Sequence, residues 1–238
     1  MSEPTRDALF AGELVLWQPA RGKGYRFNLD PALLAHFAPR AAHVLDLGAG
    51  CGVLGLSLLF LGKAERVTAV EIQSDLAELA GKNAEENGFQ DRFEILRGDL
   101  RDTTLPMADA VVFNPPYFRA GAGRIPPESG RHIARHEAHG TLVDFVDSAV
   151  ERTEGSIAAI VPHDRFDETC ELFVARRAGI ARCREVLPRE NTAAGHVLIE
   201  ARHGATRRAD EPPLIVHGEE GRAFSPEVRE LLESERQN

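Results

Sequence analysis

The stretch Val44-Leu45-Asp46-Leu47-Gly48-Ala49-Gly50-Cys51-Gly52 decides the fold. A short apolar run carries an acid, three glycines follow at alternate positions, and an apolar helical pattern takes over through residue 61. Glycine lets the backbone turn tightly and approach a ligand, and a helix starting there offers it unpaired N–H groups. Outward from this strand–turn–helix the chain alternates. Strand-like runs occupy 43–47, 66–71, 93–97, 108–113 and 156–161, with two more at 181–187 and 196–201. Helical periodicity fills 52–61, then 74–88 with Ser74 as its cap, then Leu142, Phe145, Val146, Ala149 and Val150, then 164–177. The order predicts an α/β fold: a Rossmann-like, doubly wound, mostly parallel seven-stranded sheet. The last two strands have no helix between them and predict an antiparallel edge hairpin. Residues 1–42 read as an irregular N-terminal extension, 43–203 as the core, and 204–238 as a C-terminal edge strand and helix packed on it. Within that last part, 204–213 reads as a linker, 214–216 as the strand, and Ser225-Pro226 as a capped helix start.

A chain of 238 residues, 43% hydrophobic and 27% charged, buries a full core and is neither disordered nor fibrous. No apolar run approaches the roughly 18 residues needed to cross a bilayer. The first thirty residues carry Glu3, Arg6, Asp7 and Glu13 and no signal-peptide stretch. Cys51, Cys170 and Cys183 form no ligand-spaced pair. These features predict a reduced, cytoplasmic, monomeric protein with no metal and no membrane contact. The net charge of −9 speaks against a molecule basic all over, but placement matters more than the sum. Residues 176–208 hold eight arginines against three glutamates, and 119–135 hold four more arginines. Both segments are expected to meet phosphates.

The glycine segment also satisfies GxGxxG at Gly50, Gly52 and Gly55, with Glu71 at the distance of a ribose-binding acid. That pattern alone suggests NAD or FAD. Asp46 points elsewhere, because an acid at the strand end repels a pyrophosphate and suits a cationic amino-acid moiety. Asp99 closes the third strand, where it suits an adenine amino group. Acids at three successive strand ends fit S-adenosylmethionine, which carries a sulfonium and an ammonium but no phosphate.

The fourth strand runs into Asn114-Pro115-Pro116-Tyr117. Two prolines fix φ and remove two N–H donors, so the turn is rigid and its carbonyls point in set directions. An amino group conjugated to a ring is a poor nucleophile. With its two hydrogens accepted by Asn114 Oδ1 and the Pro115 carbonyl, its lone pair is turned toward a methyl donor. Tyr117 stacks on the flat substrate, worth about 1–3 kcal/mol by analogy with base–aromatic stacking. Positioning then does more than general base catalysis.

Residues 46–52, Glu71, Asp99 and Asn114 to Tyr117 resemble the motifs of class I amino methyltransferases. A narrower resemblance comes from outside them. Leu14-Val15-Leu16-Trp17-Gln18-Pro19, the segment 24–34, Arg135-His136-Glu137, residues 213–217 and Phe224-Ser225-Pro226-Glu227 resemble the bacterial tRNA(Val) adenine-N6 methyltransferase family. The resemblance implies S-adenosylmethionine held by Asp30, Asp46, Gly48, Ala49, Gly50, Gly52, Glu71, Ile72, Asp99, Leu100 and Asn114. It implies catalysis by Asn114, Pro115, Pro116 and Tyr117, and an N-terminal extension lying over the site, with Arg26 beside Asp30. The implied reaction is methyl transfer to N6 of an adenine in tRNA, in the anticodon loop. The same turn serves other RNAs, such as rRNA, and protein glutamine amides, and these remain alternatives. Release-factor enzymes, however, carry a helical domain in front of the core, and only 42 residues precede it here. An inactive RNA-binding scaffold would show damaged motifs, and both are intact. His136-Glu137-Ala138-His139 lacks HExxH spacing, so no metal site is expected.

Overall fold

The computed structural model describes residues 3–20, 28–115, 140–218 and 223–237. Its centre is an eight-stranded sheet built from β3 (Ala41–Leu47), β4 (Ala64–Glu71), β5 (Phe93–Arg97), β6 (Ala110–Phe113), β7 (Ser156–Pro162), β8 (Ala178–Leu187), β9 (His196–His203) and β10 (Ala209–Ile215). Their spatial order is β10-β8-β9-β7-β6-β3-β4-β5. Every neighbouring pair is parallel except the two that involve β9. The seven expected strands and the hairpin are present. The C-terminal strand adds an eighth beyond the hairpin.

Alternation along β3 sorts the core. Leu45 and Leu47 face a cluster that includes Phe145, Val146 and Ala149 of α4 (Leu142–Arg152) and Phe173 of α5 (Phe166–Ala175). Val44 faces the cluster containing α1 (Asp30–Phe37), α2 (Val53–Phe60), the buried side of α3 (Ser74–Glu86) and Val228 of α6 (Pro226–Leu232). The chain leaves β3 through α2 toward β4 and β5, then returns to place β6 on the other side of β3. Ligands in open α/β sheets bind at such a reversal, beyond the strands' carboxyl ends.

Three expectations need correction. The described part of residues 1–42 is not irregular: β1 (Thr5–Leu9) and β2 (Leu14–Gln18) form an antiparallel hairpin, and α1 follows. Leu14, Leu16 and Gln18 are buried at alternate positions, a period-2 signal masked by the polar, exposed β1 and an unusual turn with positive φ at Phe10, Ala11 and Gly12. The supposed linker 204–213 already contains β10 from Ala209. Pro212 and Pro213 disguise it, and they are tolerated because β10 is an edge strand whose register shifts between Glu211 and Leu214. Ser74 is the first residue of α3 and not its cap; the cap position is Gln73. Ser225 behaves as expected, its side chain accepting from the Val228 N–H with Pro226 behind it.

Candidate active site

The carboxyl ends of β3, β4, β5 and β6 bring the glycine loop, Glu71, Asp99 and Asn114 to one rim. Val70 of β4 anchors the loop, its carbonyl accepting the Gly48 and Ala49 N–H groups at 2.9 and 3.0 Å. Gly48 and Gly50 adopt φ of +69° and +57°, in the left-handed region that favours glycine. A Cβ on Gly48 would stand 2.9 Å from the Phe145 ring, whereas one on Gly50 would meet nothing within 4 Å. The loop is thus packed from below and open above.

Two acids hold this loop. Glu71, nearly buried, accepts the Gly50 N–H on Oε2 and the Gln73 N–H on Oε1, both at 2.8 Å. Asp46 lies under the loop on the α2 side, 1% exposed, and accepts the Gly55 N–H at 3.0 Å. Burial pushes its carboxyl up to about 7, the nearby Glu71 charge adds to the rise, and the Gly55 hydrogen bond pulls against it. The structure therefore makes Asp46 a brace for the loop and the start of α2. Asp99, past the end of β5, accepts from the Arg101 backbone N–H and Nε, each at 2.9 Å, and forms an ion pair with that guanidinium. Leu100 is buried against Phe145, and Ile72 is half-buried.

Asn114 is half-buried directly after β6, Pro115 is buried, and among the described residues no hydrogen bond engages the Asn114 amide. Phe145 packs on Phe113 at 5.8 Å between ring centroids and borders Gly48 and Gly140. One aromatic ring therefore sits against the glycine loop, the end of β6 just before Asn114, and Gly140. Asp30 opens α1, where its Oδ2 accepts from Asn28 Nδ2 at 2.6 Å and lies 3.9 Å from His196 Nε2. Pro116, Tyr117, Arg26, the arginines of 119–135 and the histidines at 132, 136 and 139 lie outside the described residues.

Most arginines of 176–208 are engaged within the protein. Arg176 pairs with Asp147, Arg182 with Glu200 and Glu211, Arg184 with Glu227, Arg202 with Glu200 and Arg208 with Asp210. Arg189 donates to the Gly218 carbonyl. Arg177 and Arg207 have no ion-pair partner among the described residues, and both flank the amino end of β8, the end of the sheet away from the glycine loop. The acids that neutralise the segment come mostly from other elements, which charge summed along the chain does not reveal.

The family described as methyltransferase small domain matches residues 29–139. A tRNA1(Val) (adenine(37)-N6)-methyltransferase from Porphyromonas gingivalis is 31% identical over 89% of this chain and 89% of its own length. The enzyme of the same description from Aeromonas hydrophila is 28% identical over 82% and 84%. The chain belongs to this family. It is a class I methyltransferase, and S-adenosylmethionine is its cofactor. A crystal structure of a predicted O-methyltransferase from Agrobacterium tumefaciens has a TM-score of 0.67 and 28% identity, covering 85% of this chain and 94% of the other.

The site's chemistry fits that cofactor. The glycine loop carries no lysine or arginine for a phosphate, and Gly50 leaves space above it. Glu71 offers a carboxylate at the carboxyl end of β4, beside the loop, where an acceptor for hydroxyl groups is needed. The loop's supports, the Phe145 ring under Gly48 and Asn83, whose Nδ2 donates to the Cys51 carbonyl, were not singled out from the sequence. The readable signals were Thr141-x-x-Asp144, a capping box that starts α4 and so places Phe145, and asparagines four apart at 83 and 87 on α3.

Proposed function

We propose that this member of the tRNA1(Val) (adenine(37)-N6)-methyltransferase family methylates N6 of an adenine in the anticodon loop of a tRNA. The carrying observation is the Asn114-Pro115 turn, at the carboxyl end of β6 and one strand from the glycine loop. S-adenosylmethionine, when bound, supplies an electrophilic methyl group on sulfur. Glu71 takes the ribose hydroxyls, Gly48, Ala49, Gly50 and Gly52 shape the pocket floor, Ile72 and Leu100 flank the purine, and Asp99 takes its amino group. Asp46 braces the loop, and Asp30 closes the methionine end under the N-terminal extension.

Asn114 Oδ1 and the Pro115 carbonyl accept the two hydrogens of the target amino group and orient its lone pair. The same acceptors stabilise the N–H hydrogens as the nitrogen becomes cationic, with a neutral thioether as the leaving group. One N–H proton then passes to water to give the neutral product. Pro116 keeps the turn rigid, and Tyr117 stacks on the flipped base. Arginines of 119–135 supply the phosphate contacts, because that segment runs between Pro115 and Gly140, both at the site. The protein works as a cytoplasmic monomer. Among the described residues no helix is long and apolar enough to cross a membrane.

The deciding experiment offers labelled S-adenosylmethionine with unmodified tRNA, rRNA, DNA and a release factor in parallel, followed by nucleoside mass analysis. N6-methyladenosine in tRNA alone supports the proposal. Label in rRNA or in a protein glutamine keeps the turn's chemistry and overturns the substrate. Asn114→Ala is expected to lower kcat by about 10²–10³-fold, by analogy with removing one preorganised transition-state contact. Its binding of S-adenosylhomocysteine should stay near wild type, and undiminished turnover would end the mechanism.

A further inference from the structure

Asn83 is fully buried on α3, and its amide makes three hydrogen bonds, using both N–H donors and the oxygen. Its Oδ1 accepts the Trp17 N–H at 2.6 Å, and its Nδ2 donates to the Trp17 carbonyl at 2.9 Å and to the Cys51 carbonyl at 2.8 Å. One turn later Asn87 repeats the pattern. Its Oδ1 accepts the Val15 N–H at 2.9 Å, and its Nδ2 donates to the Val15 and Asn83 carbonyls, each at 2.7 Å.

The repeat has a geometric cause. Residues i and i+4 of a helix are separated by about 6 Å along its axis. Residues i and i+2 of a strand are about 6.6 Å apart. Asn83 and Asn87 therefore match Trp17 and Val15, and α3 binds the free edge of β2 through side-chain amides as a neighbouring strand would through its backbone. The other edge of β2 is paired with β1. An edge strand of Leu-Val-Leu-Trp is thereby covered.

The two asparagines differ in one bond. Only Asn83 also reaches the glycine loop, at the Cys51 carbonyl between Gly50 and Gly52. Glu71 holds Gly50 from one side by its N–H, and Asn83 holds the next residue from the other by its carbonyl. We propose that Asn83 is a positioning residue that couples the N-terminal hairpin to the cofactor loop, so that loop geometry, and with it cofactor affinity, depends on hairpin docking. This rests on the reading that the glycine loop holds S-adenosylmethionine.

Asn87 is the internal control, because its side chain docks the same hairpin without touching the loop. Asn83→Ser and Asn87→Ser are compared by thermal unfolding, by calorimetric binding of S-adenosylhomocysteine, and by amide hydrogen exchange at residues 50–55 in the ligand-free protein. Both variants should lose comparable thermal stability. Binding should weaken about tenfold or more in Asn83→Ser and less than twofold in Asn87→Ser, with loop exchange accelerated only in the former. Equal effects of the two variants on binding and exchange, or no effect of Asn83→Ser on either, would overturn the proposal. If Asn83→Ser fails to fold, the pair Asn83→Asp and Asn87→Asp, which keeps the acceptor and removes the donors, carries the same comparison. Wild-type protein that does not bind S-adenosylhomocysteine would defeat the cofactor reading itself, whatever the exchange rates.

Discussion

The two flanks of the sheet bury carboxylates in opposite ways. At the glycine loop, Asp46 sits among apolar groups with one backbone N–H and a second acid nearby, so its proton is held up to about 7. On the β8–β9–β10 flank, Glu200 is equally enclosed, 3% exposed, but lies between guanidiniums. Burial pushes its carboxyl up, and hydrogen bonds and charges from Arg202 and Arg182 outweigh that, leaving it below the usual carboxylate range. One flank is built from backbone donors close in sequence, the other from side-chain charges contributed by distant elements. A ligand can approach backbone, and an ion-paired network has little charge left to offer one.

The comparison breaks most visibly at Glu200. Its Oε1 also accepts from Ser156 Oγ at 3.1 Å, and its partner Arg182 reaches the Phe37 carbonyl at 2.7 Å and lies over the Phe37 ring. Glu200→Ala removes the centre of a cluster joining α1, β7, β8, β9 and β10. Removing one partner of a buried ion pair costs about 3–5 kcal/mol, so urea unfolding should show a loss near the lower end, since Arg202 is exposed. A loss under about 1 kcal/mol, the range of surface pairs, would place this cluster with ordinary surface charge.

Asp46 sharpens the contrast through pH. Its folded-state pKa is raised, so the folded protein binds the proton more tightly than the unfolded chain does. Stability from this group is then present in acid and is lost as pH rises through about 7. Glu200 acts in the opposite sense: its contribution is present above the ordinary glutamate pKa and is lost as pH falls through its depressed value. Asp46→Asn keeps an acceptor for Gly55 and removes the titration. Between pH 5 and pH 8 the wild type should lose about 2–3 kcal/mol relative to this variant, at roughly 1.4 kcal/mol per unit. Parallel stability profiles would mean that Asp46 is ionised without penalty.

The same contrast explains what the sequence disclosed. The sheet, the glycine loop, Glu71 and Asn114-Pro115 were legible because each depends on neighbours in sequence: a period, a turn residue, an acid at a strand end. The β1–β2 hairpin was not, since what stabilises it is Asn83 and Asn87, more than sixty residues away. Phe145 likewise takes its meaning from Gly48 and Phe113 on other elements. The pairing of the arginine-rich run at 176–208 was hidden for the same reason, because Asp147, Glu211 and Glu227 lie outside that stretch of chain.

The smallest expected effect tests which arginines meet RNA. Removing one arginine–phosphate interaction should lower the slope of log K against log salt by about 0.7–0.9. Arg119→Gln and Arg124→Gln, in the segment that leaves the site after Pro115, should each reduce that slope for tRNA. Arg177→Gln and Arg207→Gln should leave it unchanged, although both side chains are exposed and unpaired among the described residues, because they stand at the far end of the sheet. If the second pair lowers the slope and the first does not, tRNA must reach around the amino ends of the strands. Placement of charge relative to the carboxyl rim would then fail as the guide to substrate recognition, and an accumulation of unpaired arginine anywhere on the surface would replace it.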